Sequence, residues 1–156
     1  MRQLMDRLAI FLATGFGSGL SPKAPGTMGS VAAIPLIWAT KTLVNDNWLD
    51  QTGVLVCIYL VGMWSTHRTE MIWRTHDDGR IVIDEIAGMF TTLIWFPFEL
   101  TTVMAGFALF RLFDIWKPGL IGTIDEKWPG AWGTFFDDVL AGIVSGVLIG
   151  IYYYFN

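Results

Sequence analysis

Two pairs of neighbouring acidic residues, each followed by an apolar stretch, carry the most informative chemistry in this sequence. The pattern Asp-x-x-Ala-Gly begins at Asp84 and again at Asp138, and Glu85 and Asp137 add a second acid beside each aspartate. A single Asp can simply cap a helix, but capping does not account for the second acid of each pair. The alanine and glycine one turn further on allow two helices to approach closely, which would bring four carboxylates together. Such a group needs cations to stay ionised, and its hard oxygen ligands favour Mg²⁺.

Three charged residues at intervals of three follow another apolar stretch. Arg111, Asp114 and Lys117 would lie on one face of a helix. This spacing is compatible with an intrahelical ladder of ion pairs, which contributes little free energy at a surface. It also fits Asp114 as a metal ligand between two cations that bind a phosphate. We favour the second interpretation, because a guanidinium without a partner is costly after an apolar stretch.

A segment rich in glycine, proline and serine, residues 14–30, precedes the apolar stretch that starts at Val31. It contains neither the glycine pattern of a dinucleotide-binding unit nor the Gly-Lys-Ser/Thr of a P-loop. The backbone N–H groups of Thr27, Gly29 and Ser30 would nevertheless be available to an anion at the beginning of a helix. An ordinary loop followed by a capped helix explains the segment equally well.

His76 begins a short polar sequence, His76-Asp77-Asp78-Gly79, between two apolar stretches. A histidine at this place could act as a general acid or base, ligate a metal, or be an ordinary loop residue. The sequence alone leaves all three interpretations open.

The composition indicates a membrane protein. Hydrophobic residues make up 53% of the 156 residues and charged residues only 15%, whereas soluble domains are nearer a quarter charged. The net charge of −4 argues against a nucleic-acid-binding surface, which needs a basic face. Cys57 is the only cysteine, which excludes an intrachain disulfide and a thiolate metal cluster.

Five apolar segments predict the fold, and several are shorter than the roughly 20 residues that span a bilayer comfortably. They are residues 31–44, 54–65, 86–98, 101–113 and 139–155. We therefore predict an all-α fold, a small bundle of short, membrane-embedded helices whose polar cytoplasmic loops form the site. The length indicates one domain over residues 1–156. A soluble helical protein with a very apolar core is the alternative.

Basic residues are distributed unequally between the connections. Residues 1–30, 66–85 and 111–138 each contain several Lys or Arg, and only Lys41 falls near the opposite side. The positive-inside rule places the three basic regions in the cytoplasm. All of the acidic and glycine-rich motifs then lie on the same face.

Absent motifs narrow the chemistry further. The sequence has no Cys-x5-Arg, no Asp-x-Asp and no Gly-x-Ser-x-Gly that could support a catalytic triad. Metal-activated attack of water on phosphorus is the hydrolytic chemistry that remains. A small cation transporter using the same carboxylates and a non-enzymatic assembly factor are alternatives from other classes.

With these motifs identified, the chain resembles the bacterial phosphatidylglycerophosphatase A family. The matching motifs follow the family's order from about residue 10 to 146 and lie at residues 15–22, 24–30, 76–85, 110–118 and 137–142. The resemblance implies a Mg²⁺-dependent phosphatase of the inner membrane that converts phosphatidylglycerophosphate into phosphatidylglycerol. It implies no protein partner, and it leaves open another lipid phosphate such as phosphatidic acid.

The resemblance also implies roles for the site residues. Mg²⁺ would be held by Asp84, Glu85, Asp114 and Asp138, with Asp137 as an additional candidate. Arg111 and Lys117 would stabilise the transferring phosphoryl group, assisted by backbone donors of Thr27, Gly29 and Ser30. His76 would protonate the leaving glycerol oxygen or shuttle a proton. The segment from Ile121 to Trp132 receives no role.

Overall fold

The computed structural model describes residues 1–44, 47–76 and 78–155, so Asp77 lies outside the described residues. In this part of the chain seven α-helices are present and no strand occurs, which confirms the all-α prediction. A 3-10 turn, Ser18–Leu20, lies between the first two helices. The helices are α1 (Arg2–Ala13), α2 (Pro25–Leu43), α3 (Trp48–Trp73), α4 (Ile83–Leu93), α5 (Leu100–Trp116), α6 (Leu120–Lys127) and α7 (Ala131–Phe155).

The short helix α4 forms the centre of the molecule. Ten of its eleven residues are buried, and Glu85 is the partly exposed one. A helix that is buried on nearly every side is stable only when other helices surround it. Helices α2, α3, α5 and α7 all pack against α4. The acidic beginning of α4 is therefore held inside the bundle.

Two glycines bring α4 and α7 into main-chain contact. A Cβ atom at Gly142 would clash with the carbonyl oxygen of Gly88 and lie 2.9 Å from Cβ of Thr91. A Cβ at Gly88 would lie 2.8 Å from the carbonyl oxygen of Asp138. These glycines are the last residues of the two Asp-x-x-Ala-Gly patterns. The close helix approach predicted from the repeat is therefore present.

The ends of four helices meet at one end of the bundle. The beginning of α2 contacts that of α4, because a Cβ at Gly26 would clash with Oε1 of Glu85. The last part of α5 reaches α2 through Arg111 and Ser30, and it reaches α7 through Lys117 and Asp137. The acidic and basic motifs therefore converge here, although they are distant in the sequence.

Membrane-spanning character is limited to one helix in the described residues. Only α7 is both long and apolar enough to cross a bilayer, judged by length and composition. The predicted segments at residues 31–44 and 54–65 belong to helices that extend into polar sequence, up to Pro25 in α2 and Trp73 in α3. The structure therefore confirms the helical part of the predicted fold, whereas the membrane-embedded arrangement of the bundle stays a prediction that one candidate span supports weakly.

Candidate functional site

Three carboxylates form a compact group between α4 and α7. Asp84, Glu85 and Asp138 each offer an oxygen, and these oxygens lie within 4.8 Å of one another. The side chains of Asp84 and Asp138 are almost completely buried. This spacing allows one cation to contact all three side chains. We call this set the carboxylate group.

Asp138 reaches the carboxylate group from inside a helix. The apolar pattern predicts that it opens its helix, but α7 begins seven residues earlier, at Ala131. Capping therefore does not explain Asp138, because a capping side chain stands just before the first turn and accepts its free N–H groups, whereas Asp138 lies two turns inside α7. Asp84, in contrast, is the second residue of α4, where the helix dipole favours a negative charge. The main-chain contact of Gly88 with Gly142 lies one turn from both aspartates and fixes their approach.

Burial makes the carboxylate group difficult to ionise fully. It raises the pKa of Asp84 well above the ordinary value, and the neighbouring Glu85 raises that pKa further. Burial also raises the pKa of Glu85 to about 8, and the charges of Asp138 and Asp114 act in the same direction. Oε2 of Glu85 is buried without a hydrogen-bond partner among the described residues. Oxygen donors of this kind, one of them unpaired, fit a hard divalent cation such as Mg²⁺.

An arginine and an aspartate from α5 adjoin the carboxylate group. Nη1 of Arg111 donates a short hydrogen bond to Oδ2 of Asp114 and lies 3.5 Å from Oγ of Ser30. The carboxyl group of Asp114 lies near that of Asp138. Nε of Arg111 is buried and has no partner in the part of the chain that the structure describes. Arg111 therefore has capacity to bind an anion beside the carboxylates.

The beginning of α2 forms another wall of the site. A Cβ at Gly26 would lie 3.4 Å from Nη1 of Arg111, in addition to its clash with Glu85. The N–H groups of Gly26 and Thr27 belong to the first turn, where a helix supplies no acceptor for them. Gly29 and Ser30 lie deeper in α2, so their N–H groups donate to carbonyl oxygens of the first turn. The backbone donors thus lie at Gly26 and Thr27, whereas the buried hydroxyl group of Ser30 donates to the carbonyl oxygen of Gly26 at 3.0 Å.

Lys117 binds two aspartates instead of pointing freely into the site. Its Nζ lies 2.6 Å from Oδ2 of Asp137 and 2.9 Å from Oδ1 of Asp125. The other oxygen of Asp137, Oδ1, accepts the N–H of Asp138 at 2.9 Å. Burial alone would lower the pKa of Lys117, but the hydrogen bonds of the two aspartates raise it above the usual lysine value. Asp137 is therefore engaged by Lys117 and lies outside the carboxylate group.

The backbone of Lys117 has an unusual conformation. Lys117 follows the last residue of α5 in the left-handed region, with φ of 48°, and its N–H donates to the carbonyl of Phe113. Glycine is the residue that adopts this conformation readily at a helix end. Arg74 adopts the same conformation after the last residue of α3, so the backbone conformation by itself assigns no role to Lys117.

Asp125, the second partner of Lys117, was not predicted as a site residue because no local sequence pattern indicates it. It lies on α6, within the segment that received no role, eight residues after Lys117. The intervening Pro118 and Gly119 predict a turn but not its direction. Only the folded chain brings Asp125 to Lys117.

His76 lies on the connection that follows α3. Its Nδ1 is 3.0 Å from Oε1 of Glu70, and its side chain is 60% exposed. The contact that the structure records for this ring is thus with α3. Its role as a proton donor stays a prediction.

The site therefore combines a possible cation site with a place for a phosphate, the arrangement expected of metal-dependent hydrolases of phosphate esters. Residues 11–153 match the model of the family described as Phosphatidylglycerophosphatase A. The chain belongs to this family, which confirms the resemblance inferred from the motifs.

Three curated relatives match most of the chain, and two of them carry the family's name. Phosphatidylglycerophosphatase A of Escherichia coli strain K12 is 42% identical over 144 residues, covering 92% of this chain and 80% of the relative. The protein of the same name from Haemophilus influenzae is 38% identical, covering 88% of this chain and 84% of its own length. A putative phosphatidylinositol-3-phosphatase of Bacteroides thetaiotaomicron is 39% identical over 150 residues. The match covers 92% of this chain and 92% of that relative. No solved structure matches the chain.

Proposed function

We propose that this protein is a phosphatase that removes the terminal phosphate of phosphatidylglycerophosphate. The observation that carries the proposal is the position of Arg111 and the beginning of α2 directly beside the carboxylate group. The family and two relatives named phosphatidylglycerophosphatase A support this substrate. The products would be phosphatidylglycerol and inorganic phosphate.

We propose Mg²⁺ as the cofactor, held by Asp84, Glu85 and Asp138, with Asp114 next to them. When bound, the ion would supply positive charge for the phosphoryl oxygens and would acidify a water molecule for attack on phosphorus. Two observations support this assignment: Oε2 of Glu85 has no partner among the described residues, and the side chains of Asp84 and Asp138 are buried.

The chain's own groups would bind and orient the phosphate. Arg111 offers its Nε, which has no partner among the described residues, and Asp114 keeps the guanidinium in place. The N–H groups of Gly26 and Thr27 would donate to phosphate oxygens at the positive end of the α2 dipole. These donors are fixed before the reaction, which is how charge developing in a transition state is stabilised efficiently. Hydrolysis breaks the bond between phosphorus and the glycerol oxygen, and that oxygen then takes up a proton.

A location in the inner membrane, with the site facing the cytoplasm, completes the proposal. The apolar helix α7 and the many exposed large apolar side chains support contact with lipid. Basic residues, among them Arg111 and Lys117, lie at the end of the bundle that contains the carboxylate group. Their presence there supports the cytoplasmic orientation. A lipid substrate and a membrane-bound enzyme would then meet in the same leaflet.

A phosphoinositide is the second candidate substrate. The relative from Bacteroides thetaiotaomicron carries the name of a phosphatidylinositol-3-phosphatase and matches this chain over nearly its whole length. Both candidate lipids carry a phosphomonoester, so the carboxylate group and Arg111 would bind the phosphate of either lipid in the same way. The two substrates differ in the group that follows the ester oxygen.

The test is phosphate release by the purified protein from several lipids, with and without Mg²⁺. The panel contains phosphatidylglycerophosphate, phosphatidylinositol 3-phosphate and phosphatidic acid, and the Asp84→Asn variant serves as the control for the site. We expect turnover of phosphatidylglycerophosphate that requires Mg²⁺ and falls about 10³-fold in the variant, since it loses a buried ligand oxygen charge. Faster turnover of another lipid in the panel would identify that lipid, and not phosphatidylglycerophosphate, as the preferred substrate. No release from any lipid by folded protein would favour the transporter or assembly-factor alternatives.

A further inference from the structure

Helix α6 packs tightly at both of its ends. A Cβ atom at Gly122 would lie 2.6 Å from the carbonyl oxygen of Lys117. A Cβ at Gly133 would lie 2.6 Å from the carbonyl oxygen of Trp128 and 3.3 Å from that of Asp125. Real side chains avoid contacts this short. The two glycines therefore allow α6 to approach the end of α5 and the beginning of α7, and this packing brings Asp125 to Lys117.

The two aspartates that bind Lys117 differ in their surroundings. The side chain of Asp137 is 2% exposed and is fixed by the N–H of Asp138, whereas that of Asp125 is 31% exposed. A lysine ammonium has three N–H donors. The two aspartates engage two of them, which leaves one for a further acceptor. Asp137 thus binds Nζ of Lys117 from inside the bundle as a rigid anchor, and Asp125 binds the same atom from the more exposed side.

We propose that Asp125 is a positioning residue that, together with Asp137, directs the remaining N–H of Lys117 toward the phosphate of the substrate. This inference rests on the proposed function. A lysine side chain is a flexible stem with a point charge, so one anchor leaves its ammonium free to swing. Two anchors on different helices restrict Nζ to one place beside Asp137, whose neighbour Asp138 belongs to the carboxylate group. Asp125 acts through Lys117 and does not itself contact the phosphate.

The experiment compares Asp125→Ala with Glu126→Ala in the full-length protein, using the lipid that the wild type hydrolyses fastest. Glu126 is the exposed neighbour of Asp125 on α6, so its replacement controls for a lost acid on this helix. We expect kcat to fall about tenfold in Asp125→Ala, because a displaced donor stabilises the transition state less well. Asp125→Glu should restore most of the activity, and Glu126→Ala should behave as the wild type. Thermal unfolding of each variant verifies that α6 packing persists.

A double-mutant cycle separates positioning from a general structural effect. In a Lys117→Ala background, Asp125→Ala should cause no further loss of kcat, since the group that it positions is already absent. An undiminished tenfold loss in that background would overturn the inference. So would unchanged kcat in Asp125→Ala, or unchanged kcat with a lower KM, which would mean that Asp125 only competes with the phosphate. Wild-type protein that is inactive on every lipid phosphate would overturn the proposed function as well.

Discussion

The acid pairs of α4 and α7 share a sequence pattern but meet different surroundings. On α4, Glu85 has an oxygen without a partner among the described residues, beside the main chain of Gly26. On α7, both oxygens of Asp137 are engaged, one by the N–H of Asp138 and the other by Lys117. The acid beside Asp138 is therefore neutralised by Lys117, whereas the acid beside Asp84 has no lysine of this kind among the described residues. The shared Asp-x-x-Ala-Gly pattern thus does not determine whether the acid beside it is engaged or available; Glu85 follows its aspartate, whereas Asp137 precedes its own.

The sharpest test of this difference replaces the two neighbouring acids of α7 separately. We expect Asp138→Asn to lower turnover about 10³-fold, because it removes a charge from the carboxylate group. Without Mg²⁺ the same variant should unfold at an equal or higher temperature than the wild type, since repulsion among buried acids decreases. Asp137→Asn should instead lower the free energy of unfolding by about 1–3 kcal/mol, because Lys117 loses its buried partner. Turnover assays and thermal unfolding of both variants provide the measurement.

The opposite pattern would break the comparison. Loss of stability in metal-free Asp138→Asn would mean that this carboxylate supports the fold in the way assigned to Asp137. A stability of Asp137→Asn equal to that of the wild type would mean that Lys117 does not depend on it.

The main-chain contact between α4 and α7 allows a second test. Gly142→Ala should separate the two helices, lower the free energy of unfolding by about 1–3 kcal/mol and reduce turnover by up to about 10²-fold. Gly150→Ala on the same helix is the matched control, because its Cβ would meet Phe96 at 3.6 Å, an ordinary contact. That variant should be neutral or slightly more stable, since alanine favours helix over glycine. Equal effects of the two variants would show that the close contact does not fix the carboxylate group.

The smallest effect on turnover is expected for His76, whose side chain is exposed and pairs with Glu70. Its exposed pairing with Glu70 resembles a surface interaction of low free energy, so His76→Ala should change kcat about threefold or less. A general acid would contribute about 10²–10⁴-fold. A loss of kcat in that range would therefore restore the proton-donor role predicted from the sequence. Measurement of kcat for the wild type and the variant decides between the two.

Much of the site could be predicted because its strongest signals are local. The repeated Asp-x-x-Ala-Gly pattern predicted the approach of Asp84 and Asp138, and the intervals of three placed Arg111 beside Asp114. Helix content followed from apolar segments. These features depend on neighbours within one or two turns, which the sequence displays directly.

The remaining features depend on contacts between distant segments. The partner of Lys117 on α6 could not be predicted, because the turn at Gly119 determines where Asp125 lies. The donors at the beginning of α2 were placed too late in the chain, since this helix begins at Pro25 and not at Val31. Helix ends are set by caps and by packing against other elements, and apolar periodicity reports neither.

The left-handed backbone of Lys117 has a consequence for how this protein can be improved or can evolve. Such a conformation costs a residue with a Cβ about 1–2 kcal/mol, and glycine would avoid most of that cost. Glycine would also remove the ammonium group that pairs with the buried Asp137, and an unpaired buried carboxylate costs more free energy than the backbone strain that glycine relieves. The strained backbone of Lys117 is therefore maintained by the ion pairs of its own side chain, and a search for stabilising substitutions should leave this position unchanged.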